Sequence, residues 1–188
     1  FDKKNIIMMT MWLSAVIEEP GLVLVKHIQR GYPLESLYSK MDNYAEKLRD
    51  IFNRTCKSPT VGNIRDEIYT KSINSMAFNV VALEKEFNNL QLSKDNQSKE
   101  SIKKIMLEGE KILKNLNIPI SQDIDERINQ TLSSTQHTMS MLHDYEIGKD
   151  LELLHSWDSF EKISKIMEIE MSFTKKIVEK VLLKISDN

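Results

Sequence analysis

Thiols are almost absent from this sequence, which holds the single cysteine Cys56. One cysteine excludes an internal disulfide and a thiolate cage for zinc, and it fits a reducing, cytoplasmic compartment. Glycine is scarce as well, and Gly21, Gly31, Gly62, Gly109 and Gly148 never approach one another at the spacing of a phosphate-binding loop. If a dinucleotide is used, its main binding loop is not expected in this chain. Neither sign of charge is in excess, because 26 basic and 28 acidic residues leave a net charge of -2. That balance provides no basic face for nucleic acid. Long apolar runs are missing too. The longest, Ile6 to Ile17, is broken by Thr10 and Ser14 and falls short of the roughly 20 helical residues that cross a bilayer. The four histidines, His27, His137, His143 and His155, show no ligand spacing, so no metal site is expected. Ser, His and Asp occur close together between His137 and Asp144, but without the nucleophile elbow of a hydrolase.

What is present describes a globular protein, with 40% hydrophobic and 29% charged residues in 188. That length suits one ordinary domain, or one small domain with part of another. The chain opens at Phe1 and enters a strand-like run almost at once, without the charged-then-apolar pattern of a secretion signal. A fragment of a longer protein is the expectation.

Ile6 to Ile28 is rich in Ile, Val, Leu and Met and is interrupted by Glu18-Glu19-Pro20-Gly21, which predicts a β-hairpin. Asn43 to Phe52 places Tyr44, Leu48, Ile51 and Phe52 on one helical face, and Pro59 to Gly62 reads as a short extended piece. Beyond Asn63 the apolar period is helical throughout. Asn63 is an N-cap, with Asp66 and Glu67 in a first turn that favours carboxylates, and this helix is expected to run to about Leu83. A second helix ends before Pro119, and shorter ones follow at Ile124 to Leu132 and Ser140 to Ile147, the latter closed by Gly148. Two more span about Glu152 to Met167 and Ser172 onward. The polar segment Ser93 to Lys99 reads as a mobile loop. Trp12 and Trp157 fall within apolar runs and read as core.

Two groups of residues could carry chemistry. Lys71, Ser75 and Asn79 are spaced four apart and form one stripe on the Asn63 helix. A solvated face explains such a stripe equally well. The dense apolar surroundings, Ile73, Met76, Ala77, Phe78, Val80 and Val81, instead suggest a helix buried on most sides, where a lysine has a purpose. Ser140, Asp144 and Glu152 form the second group, and by themselves they read as a cap, a surface carboxylate and a first-turn carboxylate.

Three segments together resemble the ketopantoate reductase (2-dehydropantoate 2-reductase) family. The first is Trp12-Leu13-Ser14-Ala15 through Glu19-Pro20-Gly21, with Arg30-Gly31-Tyr32-Pro33-Leu34. The second is Asn63 to Lys71, continuing to Ala77-Phe78-Asn79, and the third is Ser140 to Lys149 followed by Leu151-Glu152-Leu153. The resemblance implies a mainly α fold: a helical C-terminal domain over residues 63–188, like that of ketopantoate reductase and 6-phosphogluconate dehydrogenase. Before it, residues 1–62 would be a small α/β remnant of a Rossmann nucleotide-binding domain.

It further implies a reductase in which NADPH delivers hydride to the ketone carbon of a 2-oxo acid. Ketopantoate is the typical substrate, and pantoate, a precursor of pantothenate and coenzyme A, the product. By position Lys71 matches the general acid, and Asn79, Asn89 and Ser140 match substrate-binding residues. Glu152 matches a glutamate that contacts substrate or cofactor, and Asp144 takes a structural role. Ser75 stands where the family usually has a substrate-contacting asparagine, Leu154 and Asp158 replace an acidic residue and a glycine, and Met171-Ser172 replaces a Thr-Pro. Alone, the fragment is expected to be inactive, and its exposed sheet edge predicts a homodimer. The alternatives are a helical interaction module that kept the fold and lost the chemistry, or a reductase of another 2-oxo acid.

Overall fold

In the computed structural model, which describes residues 2–120, 122–133 and 137–186, the first apolar run makes two strands. These are β1 (Ile7–Met9) and β2 (Trp12–Glu19), and the turn at Pro20-Gly21 returns the chain as β3 (Leu22–Gly31), followed by β4 (Leu34–Ser36). β2 and β3 form the expected antiparallel hairpin, with Ala15 opposite Val25 and Val16 opposite Leu24, while β1 pairs separately with β4. Gly31 has a φ of 75°, and a Cβ there would run into the carbonyl oxygen of Lys57, so only glycine fits.

Next comes α1 (Asp42–Phe52). Only half of its expected stripe turns inward: Leu48 and Phe52 are partly covered, whereas Tyr44 and Ile51 are 61% and 56% exposed. The reason is a small residue and a polar one. Ala45 lets the helix approach closely, and Arg49, one turn on, donates from Nη2 to the carbonyl of Leu34 in β4 at 3.1 Å. Within the same compact unit, Phe1–Thr70, Arg30 and Glu67 form a 2.7 Å ion pair beside the buried ring of Trp12.

The second compact unit is Lys71–Asn188. The helix α2 (Ile64–Lys85) begins in the first unit and continues into the second, its N-terminus capped by Asn63 Oδ1, which accepts the Arg65 N–H at 3.1 Å. After it come α3 (Asn89–Lys94), α4 (Asn96–Asn115), α5 (Ile124–Leu132), α6 (Ser140–Glu146), α7 (Leu153–Ile166) and α8 (Ser172–Ser186). α4 packs against α3, α5, α7 and α8 around a core that includes Phe78, Ile105, Met106, Trp157 and Val178.

The expected loop at Ser93 to Lys99 is a correction. Those residues end α3 and begin α4, with Asp95 between them accepting from the Ser98 N–H at 2.9 Å. Asn88 and Gln91 start α3 with a reciprocal capping box at 3.0 and 2.9 Å. Asn, Gln, Ser and Asp make this segment polar, and here that polarity terminates helices instead of solvating a coil. Pro119 and Gly148 stop their helices as expected, Gly148 with a φ of 70°.

Candidate functional site

From Met76 to Leu83 every residue of α2 is buried. Eight consecutive buried residues exceed two turns, so α2 is enclosed on all sides there, as its apolar density implies. Polar groups on such a helix must find partners inside the protein.

Asn79 does so completely. Its Nδ2 donates to the Ser75 carbonyl at 2.9 Å and lies 3.2 Å from Ser75 Oγ. Its Oδ1 accepts the backbone N–H of Met141 at 3.0 Å and lies 3.5 Å from Ser140 Oγ. Met139, the residue before α6, makes no side-chain capping bond. Asn79 therefore supplies the missing cap of α6 from another helix. The consequence is a cluster of Ser75, Asn79 and Ser140 in which the two hydroxyls sit on exposed residues and the amide that gathers them is buried.

One turn before Ser75 on the same helix face stands Lys71, half-buried. Burial pushes its ammonium below the ordinary lysine value of 10.5, because desolvation disfavours the charged form. Such an amine releases its proton more readily than a surface lysine does.

The other sequence-predicted residues make bonds of their own. Asn89, 0% exposed, donates from Nδ2 to the Thr131 carbonyl at 3.0 Å and so ties the start of α3 to the end of α5. Glu152 is exposed at the position preceding α7, where its carbonyl accepts the Ser156 N–H at 3.0 Å. Asp144 lies 3.9 Å from the Lys149 ammonium, and its carbonyl accepts the Lys149 N–H. Two surface clefts of about 400 and 380 Å³ flank α4, and neither is lined by any of these residues.

Two polar groupings were not expected. Arg127 of α5 is 1% exposed, pairs with Glu110 of α4, and donates from Nη1 to Asn74 Oδ1 of α2 at 2.9 Å. Burial lowers the guanidinium to about 10, so it stays charged at neutral pH. Glu108 caps α8 from α4, accepting from the Phe173 N–H at 3.0 Å and from the Thr174 N–H at 2.8 Å. These bonds cap a helix that Met171 precedes and Ser172 opens. The one signal for the Arg127 grouping was Asn74 itself, a polar residue off the Lys71 stripe on a densely apolar helix. Among the described residues no group of three or more side chains is arranged to hold a metal ion, and no helix is long and apolar enough to cross a membrane.

Residues 63–184 match the family model described as Ketopantoate reductase PanE/ApbA C terminal. No curated protein matches the chain by sequence. Among solved structures it is similar to D-mandelate dehydrogenase in ternary complex with NADH and anilino(oxo)acetate, at 20% identity and a TM-score of 0.84, over 99% of this chain and 62% of that one. It is similar to 2-dehydropantoate 2-reductase from Geobacter metallireducens GS-15 at 18% identity and a TM-score of 0.84, over 98% and 62%. For the dimeric ketopantoate reductase from Staphylococcus aureus the values are 12% and 0.70, over 98% and 63%. At these identities the likeness is one of fold, and the chain spans less than two thirds of the length of each of these proteins.

Proposed function

Because the chain belongs to the ketopantoate reductase family through its C-terminal domain, we propose that it is the substrate-binding and proton-donating part of an NADPH-dependent 2-oxo acid reductase, with 2-dehydropantoate as the first candidate substrate. The observation that carries this reading is the half-buried, desolvated Lys71 one turn from a hydroxyl cluster that Asn79 assembles.

When hydride reaches the ketone carbon of a 2-oxo acid, negative charge develops on the carbonyl oxygen. An ammonium nearby stabilises that charge, and its lowered affinity for the proton then favours transfer: the N–H bond of Lys71 breaks as the O–H bond of the product forms. Such a donor is worth about 100-fold to 10,000-fold in rate. Ser75 and Ser140 offer hydroxyls for the substrate's polar groups. Asn79 holds them in place, Asn89 acts by fixing α3 against α5, and Glu152 offers an exposed carboxylate.

The five glycines of this sequence are not spaced as a pyrophosphate-binding loop. Gly21 and Gly148 serve turns, Gly31 and Gly109 serve close packing, and Gly62 stands alone in sequence. A nicotinamide cofactor would supply the hydride, and its main site lies outside these residues. In this reading residues 1–62 are the tail of the nucleotide-binding domain. Supporting it, the β2–β3 hairpin leaves apolar side chains uncovered, Ile17 at 76% and Val23 at 56% exposure, which an isolated two-stranded hairpin cannot sustain in water. The rest of such a domain, or a second copy of the chain, would cover it. If a second copy is the cover, the solution mass of residues 1–188 rises to that of a dimer across a concentration series and Ile17→Lys keeps it monomeric.

The test of the function is turnover by the full-length protein, with NADPH and then NADH, over a panel of 2-oxo acids that includes 2-dehydropantoate and an aryl member. Reduction of at least one is expected. A folded protein that binds the cofactor and reduces none of them would instead be a helical interaction module on a reductase fold.

A further inference from the structure

Asn74 lies about 100° around α2 from Ser75, on the packed side of the helix. There one guanidinium joins three helices: Arg127 of α5 donates to Asn74 of α2 at 2.9 Å and pairs with Glu110 of α4. Next to this junction the Ile73 side chain of α2 packs directly on the backbone of α4 at Gly109. A Cβ on Gly109 would stand 2.9 Å from Cγ1 of Ile73, so the residues that precede Glu110 and Asn74 are already in contact.

Stability alone does not account for the junction, because a buried ion pair is generally no more stabilising than apolar residues of the same volume. What a planar, fixed fork provides is geometry, since it holds two acceptors on two helices at one spacing and one angle. Lys71 precedes Asn74 by three residues, less than one turn. A side-chain tip about 6 Å from the helix axis moves about 2 Å when the helix rolls by about 20°. A misplacement of about 1 Å can cost about 100-fold in rate.

We infer that Arg127 is a positioning residue: by holding Asn74 it fixes the roll of α2 about its own axis and so sets where Lys71 presents its amine. On another face of the same helix the Asn79 to Met141 bond resists the same roll. The inference deepens the proposed reductase reading and rests on it for its catalytic consequence, though not for its geometry.

The experiment uses the full-length protein with Asn74→Leu, which deletes the acceptor at similar volume, and Asn74→Asp, which keeps it. Acylation of Lys71 by acetic anhydride is followed by mass spectrometry at one pH, with exposed Lys149 as the internal reference, beside kcat and KM for any 2-oxo acid that is reduced. Asn74→Leu is expected to change Lys71 labelling relative to Lys149 by about threefold or more, and to lower kcat about 10-fold to 100-fold with KM little changed. Asn74→Asp returns both to within about twofold of wild type, a rescue that general loosening of the core would not give. If Asn74→Leu does not fold, Asn74→Gln, which moves the amide outward by one methylene, is read in its place. Unaltered Lys71 labelling in a folded Asn74→Leu or Asn74→Gln protein overturns the inference. Because labelling needs no turnover, a protein that reduces no 2-oxo acid would sink the reductase reading and leave this result standing.

Discussion

The side-chain oxygen of Asn79 accepts the backbone N–H of Met141 at 3.0 Å, so α6 is capped by a residue 62 positions earlier in the chain. Asn79→Ala leaves that N–H without its partner, while the Ser75 carbonyl keeps its helical bond to the Asn79 backbone N–H. It is expected to cost about 1–2 kcal/mol in a urea titration, the usual range for a lost helix cap. Asn79→Asp keeps the capping oxygen and should lose less. Equal losses in the two variants would contradict the cap.

The sign of the Lys71 effect can be worked out from burial alone. Its proton affinity is lower in the folded chain than the ordinary 10.5, so between that lowered value and 10.5 the unfolded chain binds more protons. Stability therefore rises with pH through this window, and below it the buried charge is a cost. Lys71→Met removes the cost. Relative to wild type, the variant should be more resistant to urea at pH 7 and lose that advantage as the pH climbs through the window. A difference that does not vary with pH would contradict the desolvated ammonium.

Breaking the Arg127 to Glu110 pair should be asymmetric. Glu110→Ala leaves a guanidinium that is 1% exposed without its countercharge, and a loss of about 3 kcal/mol or more is expected. Arg127→Met removes the buried charge together with its cost and leaves Glu110, which can reach solvent, so its loss should be clearly smaller. Matching midpoints for the two variants in denaturant would argue against a buried, charged Arg127.

At Gly109 the close approach is to the branched side chain of Ile73, with Cγ1 and Cγ2 at 2.9 and 3.0 Å from an added Cβ. A β-branched side chain has little rotamer freedom with which to give way. Gly109→Ala is expected to destabilise by about 1–3 kcal/mol through overpacking, although alanine is the better helix former by about 1 kcal/mol. Pairing it with Ile73→Val removes part of the clash and should recover part of the loss. A stabilised Gly109→Ala single variant would show that the two helices have room to separate.

The parts of the molecule legible in sequence are those set by neighbours along the chain. Asn63 before an apolar run marks the start of α2, Pro119 and Gly148 mark stops, and the crowding of Ile73 to Val81 signals a helix enclosed on all sides. Segments whose polarity has two meanings were not legible. Ser93 to Lys99 has the composition of a loop, yet Asp95 and Ser98 use it to end one helix and begin the next.

Long-range partners were barely legible, Asn74 on a densely apolar helix being the one sign of the Arg127 junction. Arg127 looks like an ordinary charge on α5, and its acceptor Asn74 lies 53 positions away. The candidate site divides along the same line. Lys71, Ser75 and Asn79 form a stripe that periodicity displays, but periodicity cannot say that Ser75 is exposed while Asn79 is buried against α6. Ser140 enters the cluster only through the fold. Asn89, matched on resemblance, puts its amide on the Thr131 carbonyl.

The most direct measurement is kcat of the full-length protein with NADPH and its best 2-oxo acid, for wild type and Lys71→Ala side by side. A fall of at least about 100-fold in kcat is expected, with the fold and substrate affinity retained. An unchanged kcat would contradict Lys71 as the proton donor and, with it, the function proposed for this domain.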